Sequence, residues 1–337
     1  MHFENSFTRM FNLRLPLMMA PMFLVSNEAM MKAALRKGIM GTFPTLNYRK
    51  EVEMENMLNA IHEYQALNKS GQGCYGVNLI VQKTNLYYEK HLKICVKHRV
   101  PFYITSLGNP SAVIEAAHEY GAKVFCDVTN LQHAEKCVTF GCDGFIAVSQ
   151  GAGGHAGPYP NSILVPSLHA HFPGKPVIAA GGIATGSAVV AMLALGASGV
   201  SIGTRFLASN ESPVSEAYKK AVVDAGMEDI ALTEKISGTP CTIINTPYAK
   251  KIGYKQNLVE RALSNNPRTK KYFKLLVQVR GMKKLEQAVK PGNYNNLWCA
   301  GQSVELIHDV LPCETIVDHL EQEIGEAMGE LSRSFEL

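Results

Sequence analysis

"PVIAAGGIATG", Pro176 to Gly186, is followed about twenty residues later by "GVSIGTRF", Gly199 to Phe206. Each is a short apolar run that stops at glycine, where a helical pattern begins. Runs this short and this apolar, bounded by glycine, fit strands buried on both faces, as in a parallel sheet. The N–H groups of Gly181, Gly182, Gly203 and Thr204 then emerge at the same strand ends, where they can converge on a dianion. In closed barrels the loops after the seventh and eighth strands commonly form such a phosphate site. Tight turns also need glycine, but two glycine-terminated strands in succession favour a phosphate-bearing ligand.

The same rhythm extends upstream to Leu15. Six earlier runs, "LMMAP", "GIMGTF", "YGVNLI", "PFYITS", "AKVFCDV" and "GFIAVS", alternate with amphipathic segments. "SNEAMMKAALRKG" opens with Ser26 or Asn27 as cap and stops at Gly38, and "NPSAVIEAAHEYG" opens at Asn109 and stops at Gly121. "TNLQHAEKCVTFG" and "TGSAVVAMLALG" repeat the plan. Eight strands with helices between them predict an α/β fold, a closed TIM (β/α)8 barrel.

After Pro213 the pattern changes. A helix, "SEAYKKAVVDAG", precedes a short extended piece, "GTPCTIINTPYAKKIG", and then a polar, helical stretch. Residues 1–224 are read as the barrel, 225–300 as a smaller, mostly helical lid, and 301–337 as a helical segment that packs back on the barrel. Between Lys250 and Lys290 twelve lysines and arginines face only Glu260 and Glu286. Such a run is a solvated helical face or a docking surface for an anionic partner.

Composition excludes several classes. Hydrophobic residues at 46% and charged residues at 18% over 337 residues describe a globular chain. A net charge of +4 does not argue for nucleic acid. Eight scattered cysteines, without CxxC or paired metal spacing, read as reduced thiols of a cytoplasmic protein. Cys126, Cys137 and Cys142 lie in apolar surroundings that suit buried thiols. The polar start "MHFENSFTRMF" shows no signal peptide, and "LPLMMAPMFLV" is too short to span a membrane and holds two prolines.

"SQGAGGHAGPYP", Ser149 to Pro160, sets one histidine among four glycines. A loop with so few side chains cannot pack a core, but its backbone can approach a ligand. Together with "LMMAPM", "GVNL" (Gly76 to Leu79), "PVIAAGGIATG", "ALGASGVSIGTRFLASNES" and "WCAGQSVELI", it occurs in an order that resembles the nitronate monooxygenase family, once called 2-nitropropane dioxygenases. The likeness covers nearly the whole chain and is most specific from Gln150 to Ser212.

The resemblance implies a TIM-barrel flavoenzyme with a lid that holds FMN without a covalent bond. It implies that Gly181, Gly182, Gly203 and Thr204 hold the FMN phosphate, with Ala180, Gln150, Gly153 and Gly154 also at the cofactor. The backbone of Ala20, Pro21 and Met22 lies beside the isoalloxazine and Asn78 near its polar edge. His155, in the GGH motif, is the catalytic base or substrate anchor. An imidazole with an ordinary pKa near 6.5 suits either role. Two features depart from relatives. Asp127, in "FCDVTN", stands in a segment where some carry a basic residue, and "QGAGGH" is shorter than the "QGxEAGGH" of many members.

The activity so implied is oxidation of alkyl nitronates with O2 to a carbonyl compound and nitrite, with Asn78, Tyr159 and the lid shaping the pocket. A small-molecule substrate and O2 are the expected partners, with no nucleic acid or membrane; a homodimer is left open. FMN-dependent enoyl-acyl-carrier-protein reductases and NAD(P)H:quinone reductases share the motifs, so fold and flavin do not choose among them. On that reading Lys270, Lys271 and Lys274 face an acidic carrier protein or a nicotinamide phosphate. A non-redox phosphate-binding barrel would need a lysine or a carboxylate pair at strand ends, where Asp127 is the only plain acid. No metal is expected: His169 and His171 form an HxH pair without a third ligand. His62, His91, His98 and His118 are read as surface residues of helices.

Overall fold

A computed structural model describes residues 3–68, 73–82, 84–234, 240–255 and 297–335. Eight parallel strands close into a barrel. They are β1 (Leu17–Met19), β2 (Met40–Pro44), β3 (Cys74–Ile80), β4 (Phe102–Ser106), β5 (Lys123–Val128), β6 (Gly144–Val148), β8 (Val177–Ala180) and β9 (Gly199–Ile202). Pairing of Met18 with Ser201 joins the last strand to the first. All eight strands lie within or beside the apolar runs of the sequence, because a strand buried on both faces needs a continuous apolar segment.

Helices cover the outside. Asn27, not Ser26, caps the helix Glu28–Arg36 by accepting from the Met30 amide. Asn130 and Thr185 cap Leu131–Thr139 and Gly186–Ala194 in the same way. The helix expected to open at Asn109 runs from Ser111 to His118 behind Pro110, and Asn109 accepts from the Ser111 amide at 2.9 Å.

The N-terminal end of the barrel is sealed by the helix Ser6–Phe11. Its Phe7 and Phe11 pack with Phe102 and Phe125 from the barrel interior, ring centroids 4.9–6.3 Å apart. Met18, Met40, Ile104, Ile146 and Ile178 complete this inner cluster.

Between β6 and β8 the chain leaves the barrel as β7 (Gly154–His155) and pairs antiparallel with β11 (Cys241–Ile244), itself paired with β10 (Ile230–Thr233). The described part of residues 225–300 thus holds two strands, a 3-10 turn at Met227–Asp229 and one short α-helix, Pro247–Ile252. Most of the basic run, including Lys270, Lys271 and Lys274, lies outside the described residues.

The C-terminal helix Cys313–Ser334 lies along Gly186–Ala194, so close that a Cβ on Gly186 would sit 2.3 Å from the Ile324 nitrogen. Arg14–Glu321 and Lys37–Asp318 ion pairs tie its other edge to the segment before β1 and to the end of the helix Glu28–Arg36. Among the described residues no helix is long and apolar enough to cross a membrane, and no group of three or more His, Cys, Asp or Glu could hold a metal.

Candidate active site

The C-terminal ends of the strands open on one face, where four short backbone segments meet. After β6 the loop goes out and back, closed by Gly157 N–H donating to the Ser149 carbonyl (3.1 Å) and Gln150 N–H to the Tyr159 carbonyl (2.8 Å). Its glycines are where other backbone comes close. A Cβ on Gly157 would lie 2.1 Å from the Val148 carbonyl oxygen, and one on Gly153 would lie 2.8 Å from the Gly301 nitrogen. The room left by these two glycines is therefore filled by the protein's own chain, which the sequence did not reveal.

Gly181 and Gly182, after β8, lie against this loop with φ of +104° and +73°. Both values lie in the left-handed region that glycine tolerates best. A Cβ on Gly181 would stand 2.4 Å from the Ala152 nitrogen, so alanine is excluded twice over. The Gly181 carbonyl accepts from Asn161 Nδ2 at 2.7 Å, which turns the peptide plane and fixes the following amide. After β9, Gly203 leads into Thr204, whose Oγ1 accepts from Gly301 N–H at 3.1 Å. The amides of Gly182, Gly203 and Thr204 have no acceptor among the described residues. The N-terminus of the helix Gly186–Ala194, by contrast, is already occupied: Gly186 N–H donates to Glu323 Oε2 at 2.5 Å.

The end of β1 adjoins this junction. Gly203 approaches Ala20 and Met22 so closely that a Cβ on it would lie 3.6 Å from the Ala20 Cβ and 3.9 Å from the Met22 sulfur. Ser26 and Asn47 shape the Ala20–Pro21–Met22 turn. Met22 N–H donates to Ser26 Oγ (2.9 Å), and Asn47 accepts from Leu24 N–H (2.8 Å) while donating to the Ser26 carbonyl (2.9 Å). Nothing in the local pattern "TLNYRK" marks Asn47 as part of this turn, because its partners lie about twenty residues upstream.

His155 is exposed and sits in β7, opposite Cys241, rather than on a free turn. Thr242 Oγ1 reinforces the join by donating to the Ala152 carbonyl at 2.5 Å. Tyr159 is exposed nearby in the same loop. Gln150 is exposed, and the Ala180 carbonyl accepts from Ser149 N–H at 3.0 Å.

Asn78 lies on another part of the mouth, 9% exposed, on β3. Its Nδ2 donates to Ser106 Oγ (2.7 Å) on β4, and Ser106 Oγ donates to Asp127 Oδ2 (2.5 Å) on β5. Burial pushes the Asp127 carboxyl up to about 6, with the Ser106 hydrogen bond opposing the shift. Ser106 was not singled out from the sequence, though its place at the end of an apolar run was visible. The histidine expectations need correction: His91 is buried, with Nε2 3.0 Å from the Tyr48 carbonyl, and His98 is half-buried. His62 is half-buried against Tyr75.

A barrel whose strand ends carry paired glycine turns, with a histidine raised on a small lid sheet, defines the class of α/β-barrel enzymes that act on ligands seated at the barrel mouth. The chain belongs to the nitronate monooxygenase family, whose model matches residues 43–323. It is an oxidoreductase of a flavin-dependent class that acts on a small molecule.

The chain is similar to a probable nitronate monooxygenase of Staphylococcus aureus, at 29% identity over 252 residues, 72% of this chain and 67% of that protein. It is also similar to the (3aS,4S,5R,7aS)-5-hydroxy-7a-methyl-1-oxo-octahydro-1H-indene-4-carboxyl-CoA dehydrogenase of Mycobacterium tuberculosis, at 27% identity over 254 residues, 75% of this chain and 69% of that protein. FabK from Thermotoga maritima superposes with a TM-score of 0.84 at 26% identity, over 99% of both chains. A nitroalkane oxidase from Streptomyces ansochromogenes shares the fold, with a TM-score of 0.80 at 22% identity over 97% of this chain and 100% of that one.

Proposed function

We propose that this protein is an FMN-dependent nitronate monooxygenase that oxidises alkyl nitronates with O2 to a carbonyl compound and nitrite. The observation that carries the proposal is the glycine junction at the ends of β8 and β9, whose amides have no acceptor among the described residues, beside the loop that bears His155. Those donors suit a phosphate: they are neutral N–H groups in left-handed or helix-opening backbone, and the nearby Glu323 carboxylate is already engaged with Gly186. Gly181, Gly182, Gly203 and Thr204 would hold the phosphate, Ala20, Pro21 and Met22 would flank the apolar ring, and Asn78 would meet its polar edge. Gln150, Gly153, Gly154 and Ala180 belong to the same wall. When bound, FMN supplies the electron acceptor, and the protein's part is placement and charge.

On this reading His155 would meet the substrate. Its backbone is fixed by the pairing of β7 with β11, and its imidazole is exposed. A neutral imidazole can take a proton from a nitroalkane carbon, and a protonated one can donate to the nitronate oxygens. Exclusion of bulk water falls to the lid and to Tyr159.

A second reading has one observation in its favour. The relative from Mycobacterium tuberculosis is a dehydrogenase of a CoA ester, which places acyl-thioester chemistry on a related chain. Reduction of an enoyl thioester, with the basic lid sequence docking a nicotinamide phosphate or an acidic carrier protein, is the alternative. Anaerobic mixing of the purified yellow protein with propionate 3-nitronate, NADH or NADPH separates the two. Rapid bleaching of the band near 450 nm by the nitronate supports the proposal. Bleaching by nicotinamide alone overturns it in favour of the reductase, and a colourless protein overturns both.

A further inference from the structure

The inner face of the barrel changes character toward the mouth. On β4 and β5 the inward residues Phe102, Ile104 and Phe125 belong to the apolar interior, and the next inward positions are Ser106 and Asp127. On β3 the inward Asn78, beyond Cys74 of the same cluster, is the register partner of Ile104, one inward position before Ile80, which pairs with Ser106. Three neighbouring strands thus carry, toward the mouth, three polar side chains bonded in a row.

Proton counting fixes the direction of this row. Ser106 has one hydroxyl proton, and it goes to Asp127 Oδ2. Its oxygen must therefore accept from Asn78 Nδ2, whose other proton faces the Ile104 carbonyl at 3.3 Å. Both amide protons of Asn78 are held by the strand layer, so Oδ1, an acceptor, is the polar atom it can offer a ligand. An acceptor there suits an N–H donor, and the pyrimidine ring of oxidised flavin carries one, its imide N–H.

We propose that Asp127 is a positioning residue that, through Ser106, locks the Asn78 amide so that its carbonyl oxygen accepts the imide N–H of the bound flavin. The assignment rests on the FMN reading above. It also gives a physical use to an acid where some relatives carry a basic residue: a cation could not accept from Ser106, and the relay would lose its direction. Asp127 makes no ion pair with a described residue. Its β6 register partner is the apolar Ile146. From the covering helix Leu131–Thr139 the titratable group that senses it is Cys137, whose thiol burial and the neighbouring Cys126 keep neutral. The other titratable groups of the two covering helices, Glu115, His118, His133, Glu135 and Lys136, lie beyond Val124, Cys126 and Val128 on the outer face. A protonated Asp127 would donate to Ser106 and reverse the row, presenting Asn78 Nδ2 instead.

The test uses the full-length protein reconstituted with nitrogen-15-labelled FMN and reads the imide N–H resonance and its exchange with water. A downfield, slowly exchanging signal is expected at pH 8. It should be lost in Asp127→Ala, which leaves Ser106 no acceptor at that position, and in Ser106→Ala, with FMN affinity falling about tenfold as one hydrogen bond is removed. In the unaltered protein it should also be lost below about pH 6, against the ordinary slowing of base-catalysed exchange in acid. Failure to bind FMN at all sinks the cofactor reading. Bound FMN with an unprotected imide, or protection that survives both substitutions, or protection indifferent to pH in the unaltered protein, overturns the relay while leaving the cofactor reading intact.

Discussion

The two ends of the barrel are built on opposite principles. The N-terminal end is filled by Phe7, Phe11, Phe102 and Phe125, all buried, with rings in edge and tilted contact. The mouth is made of glycine junctions, half-buried turns and a polar row headed by a carboxyl raised in pKa. One end contributes burial of apolar surface, which is cheap to specify and tolerant of loop variation. The other sets donors and acceptors in fixed directions at a cost in stability. A barrel can carry such a mouth because its closed lower half stabilises the whole sheet.

Substitutions at the two ends should separate stability from chemistry. Phe125→Ala at the sealed end should give the largest effect, a loss of about 3–5 kcal/mol in denaturant unfolding, since it empties the centre of the aromatic cluster. The folded fraction should keep its FMN affinity; loss of affinity would mean that the two ends are coupled. His155→Ala should leave the melting temperature nearly unchanged while steady-state turnover with nitronate falls about a hundredfold. A variant with unaltered turnover would remove the role assigned to this side chain.

Gly181→Ala falls between the two kinds of effect. Its strained φ and the 2.4 Å approach to Ala152 should cost about 1–3 kcal/mol and also weaken FMN retention on gel filtration. Equal retention would show that the phosphate is held elsewhere. The smallest effect has the opposite sign. Burial raises the Asp127 carboxyl from 3.8 to about 6, so the folded state binds this proton more tightly than the unfolded chain does. The group therefore disfavours folding above pH 6, and the penalty fades as pH falls from 6 toward 3.8. Asp127→Asn should raise the melting temperature at pH 7.5 and converge on the parent protein near pH 4. A variant less stable at pH 7.5 would show that the carboxylate is compensated by a charge in the folded state.

The eight barrel strands were legible because each is a local pattern, an apolar run ended by a turn residue. Gly181, Gly182, Gly203 and Thr204 were legible for the same reason, since strand ends in succession must share one face of the barrel. What could not be read locally depends on partners far along the chain. β7 is two residues long and exists only because Cys241 and Thr242 pair with it. The glycines at 153 and 157 carry no hint that Gly301 and Val148 are what crowd them. His91 has the helical spacing of a surface residue, and only the approach of the Tyr48 carbonyl shows why it is buried. Asp127 was noticed as an oddity, but its link to Asn78 required the strand register.

The ladder between β7 and β11 also constrains motion. Because His155 and Cys241 face each other across it, a hinge that swings this sheet away from the barrel must either carry the imidazole along or rupture main-chain bonds. On the proposed role of His155, admission of substrate and assembly of the reactive geometry would then be a single event, and an enzyme caught ajar would be idle by construction.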